Sequence, residues 1–151
     1  MKIENATIAD AKQILGLQKL VYISEAEIYC DYNIPPLTQT LEEIIEEFDT
    51  QLVLKATIQD ITIGAVRAYV KNGSCFIGRL IVHPNYQNKG IGRKLMCEIE
   101  KRFINANRFE LFTGHKSDKN IRFYENLGYN IIRTEQINET LKFVYLEKNG
   151  H

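Results

Sequence analysis

The chain has 151 residues, of which 44% are hydrophobic and 25% are charged, and this balance is ordinary for one globular domain with its own core. Lys plus Arg and Asp plus Glu each number 19, so the net charge gives no reason to expect a nucleic acid or a membrane surface as partner. The three cysteines, Cys30, Cys75 and Cys97, show no C-x-x-C spacing, which indicates reduced thiols rather than a metal cluster. No apolar run reaches membrane-spanning length and the start does not resemble a signal peptide, so we expect a cytoplasmic protein.

The N-terminal part of the chain is predicted to contain a short strand, a helix and a long irregular stretch. Lys2–Ile8 is the strand, and Thr7 or Asp10 is a suitable N-cap for the helix that follows. The apolar residues expected on the inner face of this helix are Ala11, Ile14, Leu15 and Val21. Ser24–Thr40 is predicted to be irregular, because Pro35-Pro36 excludes a helix that runs through it.

A second helix is predicted after Thr38 or Thr40. Its apolar face consists of Leu41, Ile44, Ile45 and Phe48. The glutamates predicted to face solvent are Glu42, Glu43, Glu46 and Glu47. Such an acidic run is typical of the solvated face of an amphipathic helix.

Three antiparallel strands are predicted next, namely Gln51–Ile58, Ile61–Lys71 and Ser74–His83. Asn72-Gly73 separates the second and third strands and is a strong signal for a two-residue hairpin turn. These strands lead directly into the most informative stretch of the chain.

That stretch is a buried strand, Ile77–His83, followed by the loop Gln87–Gly92 and a helix with Leu95, Ile99 and Phe103 at four-residue spacing. A glycine-bounded helix start exposes unpaired backbone N–H groups, and the helix dipole adds partial positive charge there. Full positive charges are supplied by Lys89, Arg93 and Lys94. The combination suits a phosphate or pyrophosphate, although glycines at this position can also serve only a tight entry into the helix.

Two other phosphate-binding motifs do not fit. A dinucleotide-binding loop requires G-x-G-x-x-G, but the third residue after Gly92 is Leu95. The pattern of a P-loop, G-x-x-x-x-G-K-[ST], occurs nowhere in the chain. The loop therefore belongs to a different kind of phosphate site.

The C-terminal part is predicted to add a strand, a helix and a hairpin. Arg108–Gly114 follows a helical crossover, which implies a parallel neighbour for Ile77–His83. Asp118 begins a short helix over Asn120–Leu127 that stops at Gly128. The last two strands are Tyr129–Glu135 and Thr140–Glu147, joined around Asn138-Glu139.

Two patterns together resemble the GNAT superfamily of acetyl-CoA-dependent N-acetyltransferases. The first is Gln87-x-x-Gly90-x-Gly92 after the buried strand, and the second is Asn120-x-x-x-Tyr124-x-x-x-Gly128-Tyr129. The resemblance implies a mixed α/β fold with a six- to seven-stranded sheet and about four helices. It also implies that residues 1–151 form a single N-acetyltransferase domain, with the two parallel strands splayed apart where the cofactor enters.

The resemblance further implies acetyl-CoA as the acetyl donor and no metal. The pyrophosphate would lie on the backbone N–H groups of Asn88, Lys89, Gly90, Ile91 and Gly92, with Gln87 and Arg93 beside it. The backbone of Ile81 and Val82 would pair with the pantetheine arm. Asn120 and Tyr124 would face the thioester, where Tyr124 would stabilise the departing thiolate by a hydrogen bond. His83 and His115 lack a second ligand at metal spacing.

The acceptor is expected to be a primary amine, carried by a small molecule or a protein, that attacks the thioester directly, because no cysteine lies in a motif with a histidine base. The strand Ile77–His83 contains no carboxylate, so the general base stays unassigned. Residues expected to bind the acceptor or take its proton are Glu25, Glu27, Tyr29 and Tyr32. A domain that binds acetyl-CoA without transferring the acetyl group is the alternative, and a monomer and a homodimer both remain open.

Overall fold

A computed structural model describes residues 1–150, and its centre is a seven-stranded sheet. The strands are β1 (Lys2–Asn5), β2 (Leu52–Ile58), β3 (Ile61–Lys71), β4 (Ser74–Val82), β5 (Arg108–Gly114), β6 (Asn130–Gln136) and β7 (Lys142–Asn149). Their order across the sheet is β1-β2-β3-β4-β5-β7-β6. Neighbouring strands are antiparallel except for β4 and β5, which are parallel. The predicted mixed α/β fold is confirmed.

Five helices accompany the sheet, one of them a single turn. They are α1 (Ala11–Tyr29), α2 (Pro35–Thr38), α3 (Leu41–Glu47), α4 (Ile91–Arg102) and α5 (Asp118–Asn126). A 3₁₀ turn at Ile8–Asp10 shortens the predicted first strand, and the Thr7 N–H donates to Asp10 at 2.8 Å. None of the helices in residues 1–150 has the length and apolar character needed to cross a bilayer.

Local signals in the sequence explain several of these boundaries. Thr40 caps α3, because its hydroxyl accepts a hydrogen bond from the Glu43 N–H at 3.2 Å and the Glu43 carboxylate accepts one from the Thr40 N–H at 2.9 Å. The hairpin around Asn72-Gly73 joins β3 to β4 as predicted. These short-range hydrogen bonds and turns form from neighbouring residues, so a single sequence is enough to predict them.

Helices cover both faces of the sheet. On one face α4 buries Leu95, Met96 and Ile99 completely, in agreement with the predicted apolar stripe. On the other face Ile14 of α1 and Ile44 of α3 pack together in a second cluster. Burial of each such side chain contributes about 1.5–3 kcal/mol to folding, so the two clusters hold the sheet firmly between its helices.

The sheet divides between its two parallel strands. Only three residue pairs join β4 to β5, because Ser74–Phe76 of β4 pair with Arg108–Glu110 of β5 and no later residues do. Beyond them β4 pairs only with β3 and β5 only with β7, which leaves a gap at the centre of the sheet. A register shift between β3 and β4 falls near Arg79, whose φ is +50°. The predicted splay of the parallel strands is therefore present.

Two expectations were wrong. Ser24–Thr40 is not an irregular stretch throughout, because α1 continues to Tyr29 and the two prolines, Pro35 and Pro36, begin α2. Proline is tolerated in the first turn of a helix, where its missing N–H would have no intrahelical partner. Glu47 does not face solvent, because its carboxylate lies 2.7 Å from the buried Arg67 guanidinium.

Candidate active site

The gap between β4 and β5 forms a cleft of about 270 Å³, which we call the central cleft. Its walls come from β4 and β5, from α1 and α2 on one side, and from α5 on the other. Polar groups on these walls include Glu25, Arg79, Asn120 and Tyr124. Elements distant in the chain thus meet at the gap where β4 and β5 are not paired.

The loop after β4 presents a row of backbone N–H groups. Gln87 anchors the loop by donating its side-chain amide to the Val82 carbonyl at 3.0 Å. Gly90 caps α4 with φ +82°, a left-handed conformation that other residues rarely adopt. The first N–H of the helix with a backbone acceptor is that of Lys94, which donates to the Gly90 carbonyl at 3.1 Å. Among residues 1–150, the N–H groups of residues 87–93 have no acceptor, which suits an anion at this helix start.

The surroundings of this loop are positively charged. Lys89, Arg93 and Lys94 are all exposed beside it. The Lys89 ammonium also lies 5.5 Å from the ring centroid of Tyr86. The predicted phosphate-binding residues therefore lie together at the N-terminus of α4, with the side chains of Lys89 and Arg93 exposed and that of Ile91 buried.

Ile81 and Val82 have their backbones at the edge of the gap. Ile81 pairs with Ala65 and Val82 with Gly64 on β3, and neither has a partner strand on the β5 side. The Ile81 side chain is buried against α1 and α3, so only its backbone is available to a ligand. An extended chain with amide groups could add to β4 here, as strands add to a free sheet edge.

Tyr124 lines the central cleft from α5. Its ring packs edge-on against Phe123, with the ring centroids 5.2 Å apart. Burial raises the pKa of Tyr124 above the usual 10.0, and the neighbouring Tyr22 and Glu25 add smaller contributions in the same direction. Tyr124 is therefore a protonated hydrogen-bond donor at any pH near neutral.

Asn120, one helical turn before Tyr124, also lines the cleft but contacts other residues of the protein. Its amide nitrogen lies 3.4 Å from a carboxylate oxygen of Glu25 and 3.5 Å from the Thr113 hydroxyl. The other oxygen of Glu25 accepts a hydrogen bond from the Ser117 hydroxyl at 2.7 Å. Asn120 and Ser117 thus hold Glu25 in place at the cleft wall.

The structure separates the four residues predicted to contact the acceptor. Glu25 and Tyr29 line the central cleft, and the Tyr29 hydroxyl accepts a hydrogen bond from the Lys116 N–H at 2.9 Å. Glu27 is exposed and Tyr32 is 59% exposed, and neither lines the cleft. Only the first pair is positioned to meet a bound substrate.

Tyr22 and Arg79 are cleft residues that the sequence interpretation missed. Tyr22 shares one helix face with Glu25 and Tyr29, at spacings of three and seven residues, and this pattern would have indicated it had the helix been extended to Tyr29. Arg79 lies in the irregular part of β4, and strand periodicity does not indicate where such a shift occurs.

The cysteines are not placed for chemistry in the cleft. Burial raises the pKa of the Cys75 thiol to about 12, so Cys75 is not a thiolate at neutral pH. Cys30 and Cys97 are exposed, and none of the three lines the central cleft. Residues 1–150 also contain no group of three His, Cys, Asp or Glu side chains that could hold a metal ion.

A mixed sheet that opens beside a glycine-capped helix start is the architecture of acyl-CoA-dependent N-acyltransferases. Residues 25–149 match the family model described as "Acetyltransferase (GNAT) domain". The chain therefore belongs to the GNAT acetyltransferase family, in which acetyl-CoA supplies the acetyl group.

Solved structures show the same fold at low sequence identity. The PaiA N-acetyltransferase of Thermoplasma acidophilum, in complex with coenzyme A, is 21% identical with a TM-score of 0.83, and the match covers 99% of both chains. An aminoglycoside 6'-N-acetyltransferase complexed with coenzyme A is 20% identical with a TM-score of 0.78, covering 99% of this chain and 97% of the other.

A curated relative is the UPF0157 protein YqkA of Bacillus subtilis (strain 168), which is 30% identical over 127 residues. The match covers 83% of this chain but only 36% of YqkA. The chain thus spans little more than a third of that relative.

Proposed function

We propose that residues 1–151 act as one N-acetyltransferase domain that transfers the acetyl group of acetyl-CoA to a primary amine by direct attack. The observation that supports this proposal is the continuity of the site. A loop with unpaired N–H groups at α4 leads along the free edge of β4 to the half-buried Tyr124 on α5. The spacing of these parts suits a ligand with a pyrophosphate at one end and a thioester at the other.

Binding of the cofactor would divide between the loop and the strand. The helix dipole contributes only about 0.3–2 kcal/mol to an anion at α4, whereas a micromolar complex requires about 8 kcal/mol. The remainder must come from the N–H groups of residues 88–92, from the charges of Lys89 and Arg93, and from pantetheine pairing with Ile81 and Val82. Gln87 keeps the loop in register by its bond to the Val82 carbonyl.

The acceptor amine must lose a proton before it attacks. An amine with a pKa of about 10.4 is neutral in only about one molecule per thousand near pH 7, a penalty of roughly 4–5 kcal/mol. Glu25 is the one carboxylate that lines the central cleft in residues 1–150. We assign to it the role of receiving this proton, directly or through one water molecule.

The bond changes then balance without a covalent enzyme intermediate. The amine nitrogen forms a bond to the acetyl carbon and passes its remaining excess proton to solvent, while the carbon–sulfur bond breaks and its electron pair leaves on the CoA sulfur. Tyr124 donates a hydrogen bond to this thiolate. Because the pKa of Tyr124 is raised, full transfer of its proton is unfavourable, so the thiolate gains its proton from the solvent after release.

A transfer assay with mass detection tests this proposal. The purified protein is incubated with acetyl-CoA and a panel of primary amines. The products are identified and quantified by mass spectrometry, and free CoA is measured with a thiol reagent. We expect equal amounts of free CoA and of an acceptor heavier by one acetyl group. CoA release without an acetylated amine, or no release with any amine, would contradict the proposal.

A further inference from the structure

A second cavity, of about 400 Å³, adjoins the central cleft on the side of α3 and β3. The two share a wall that includes Tyr22, Arg79 and Phe112. A substrate held at this shared wall could reach the central cleft with one end and the second cavity with the other.

Aromatic rings form much of the second cavity. Tyr69 and Phe76 are stacked there with their ring centroids 5.3 Å apart. Phe112 and Tyr145 line it as well, with their centroids 5.5 Å apart. Walls of this kind suit an apolar or aromatic group of a ligand.

The carboxylates of the second cavity are already paired. Glu47 lies 2.7 Å from the Arg67 guanidinium. Glu110 lies 2.6 Å from the guanidinium of Arg108 and 3.2 Å from that of Arg133. Neither glutamate therefore offers an uncompensated negative charge to a cationic ligand.

Arg79 differs from these arginines. Its Nε is buried and has no hydrogen-bond partner among residues 1–150, and no carboxylate of that part of the chain forms an ion pair with it. Its left-handed backbone, with φ +50°, is one that residues other than glycine adopt only at a cost. A strained arginine with an unsatisfied buried donor at the junction of two cavities indicates a site for an anion.

Charged groups of both signs surround Tyr22, namely Arg79, Arg67 and Glu25. Burial raises the pKa of Tyr22, the positive charge of Arg79 opposes that rise, and the negative charge of Glu25 adds to it. Tyr22 therefore lies close to both charged groups. Burial also lowers the pKa of Arg67 to about 10, Glu47 opposes this, and repulsion from Arg79 lowers it further. A bound carboxylate would relieve that repulsion.

We propose that the acceptor is an α-amino acid with an apolar or aromatic side chain, whose carboxylate binds Arg79 and whose amine faces Glu25. This assignment of the substrate class rests on the proposed acetyl transfer. The side chain occupies the second cavity between Tyr69, Phe76 and Tyr145. The acetylated product keeps its carboxylate, so it can be used to probe the same site.

A kinetic comparison tests the carboxylate requirement. L-Phenylalanine, L-phenylalaninamide and phenethylamine present the same ring and amine but differ in the carboxylate. We expect kcat/KM for the acid to exceed that for the other two by about 10–100-fold, as for one charge-assisted pair. We expect R79Q to remove this preference and R122Q, which changes an exposed arginine outside both cavities, to retain it. Equal kcat/KM values in the unmodified protein, or a preference for phenethylamine or a polyamine, would overturn the proposal.

A binding measurement tests the carboxylate site without requiring acetyl transfer. N-acetyl-L-phenylalanine and its amide are titrated into the CoA-saturated protein by calorimetry. We expect the acid to bind about 10–100-fold more tightly than the amide, and this difference to disappear in R79Q but not in R122Q. Equal binding of the two compounds, or binding of neither, would refute the role of Arg79. If the acid is preferred but no amine is acetylated, the carboxylate site stands and the proposed transfer fails.

Discussion

Replacing Tyr124 by phenylalanine tests the chemistry at the thioester. The variant removes one hydroxyl from the wall of the central cleft and leaves the ring that packs against Phe123. A hydrogen bond to a charged group is worth about 1.5–3 kcal/mol, so Y124F should reduce kcat by about 10–150-fold. The KM for acetyl-CoA should change by less than about threefold, because the thiolate exists only as the bond breaks.

The fold should tolerate this change. The Tyr124 hydroxyl forms no hydrogen bond within residues 1–150, so Y124F removes none from the fold. Tyr129 supplies the matched control, because its hydroxyl donates to Glu100 at 2.9 Å and it does not line the cleft. We expect Y129F to lower the free energy of unfolding by about 1 kcal/mol while kcat stays within about twofold.

Steady-state release of CoA measures both variants across pH. Because burial raises the pKa of Tyr124, its ionisation should not appear in the kcat profile below pH 10.0. A Y124F enzyme with unchanged kcat and a raised KM would make Tyr124 a cofactor contact only. A loss of kcat in Y129F equal to that in Y124F would show that packing, and not the hydroxyl in the cleft, carries the effect.

Three further predictions concern two helix glycines, the proposed base Glu25 and the ion pairs of Glu110. G90A should lower the free energy of unfolding by about 1–2 kcal/mol, because the φ of Gly90 is +82°. G16A should raise it by about 0.5–1 kcal/mol, because Gly16 is exposed within α1 and has nothing within 4 Å of an added Cβ. Melting temperatures that rise in both variants, or fall in both, would contradict this. E25Q should lower kcat/KM for the amine near pH 7 and recover as the pH approaches the amine pKa, and a constant deficit across the pH–rate profile would exclude Glu25 as the base. Burial alone would raise the pKa of Glu110, but hydrogen bonds from Arg108 and Arg133 outweigh this and hold its pKa below 4.5. The ionised carboxylate therefore stabilises the fold above pH 4.5, and this stabilisation is lost as the pH falls through the pKa of Glu110 in the folded protein. E110Q should therefore have a free energy of unfolding about 2 kcal/mol lower than the unmodified protein near pH 7. In urea melts this difference should become smaller below pH 4.5, and a difference that does not change with pH would count against the ion pairs of Glu110.

Local signals made much of the fold predictable. The start of α3 after Thr40, the hairpin at Asn72-Gly73 and the stripe of Leu95 and Ile99 each depend on residues close together in the chain. The splay of β4 and β5 followed from the family resemblance rather than from periodicity. Elements of this kind were predicted correctly because neighbouring residues, or a shared motif, determine them.

Long-range contacts explain what the sequence could not show. The sequence pattern places Glu47 on the exposed face of α3. In the folded protein the buried Arg67 of β3 lies 2.7 Å from its carboxylate. Arg79 is one residue of an apolar strand, and its role depends on a register shift against β3 and on a cleft formed by α1 and β5. Pro35 and Pro36 exclude a helix that runs through them, but proline favours the first turn of a helix, and α2 begins there.

Isothermal titration with acetyl-CoA, beside desulfo-CoA and adenosine diphosphate, tests the central claim that the loop before α4 binds the cofactor. We expect a Kd in the micromolar range for both CoA compounds and weaker binding of the nucleotide, which lacks the pantetheine arm that pairs with Ile81 and Val82. G90E should abolish this binding while its thermal melt shows a folded domain, because a carboxylate then replaces the phosphate at the helix start. No binding of CoA to the unmodified protein, or equal binding to G90E, would contradict the proposed cofactor site.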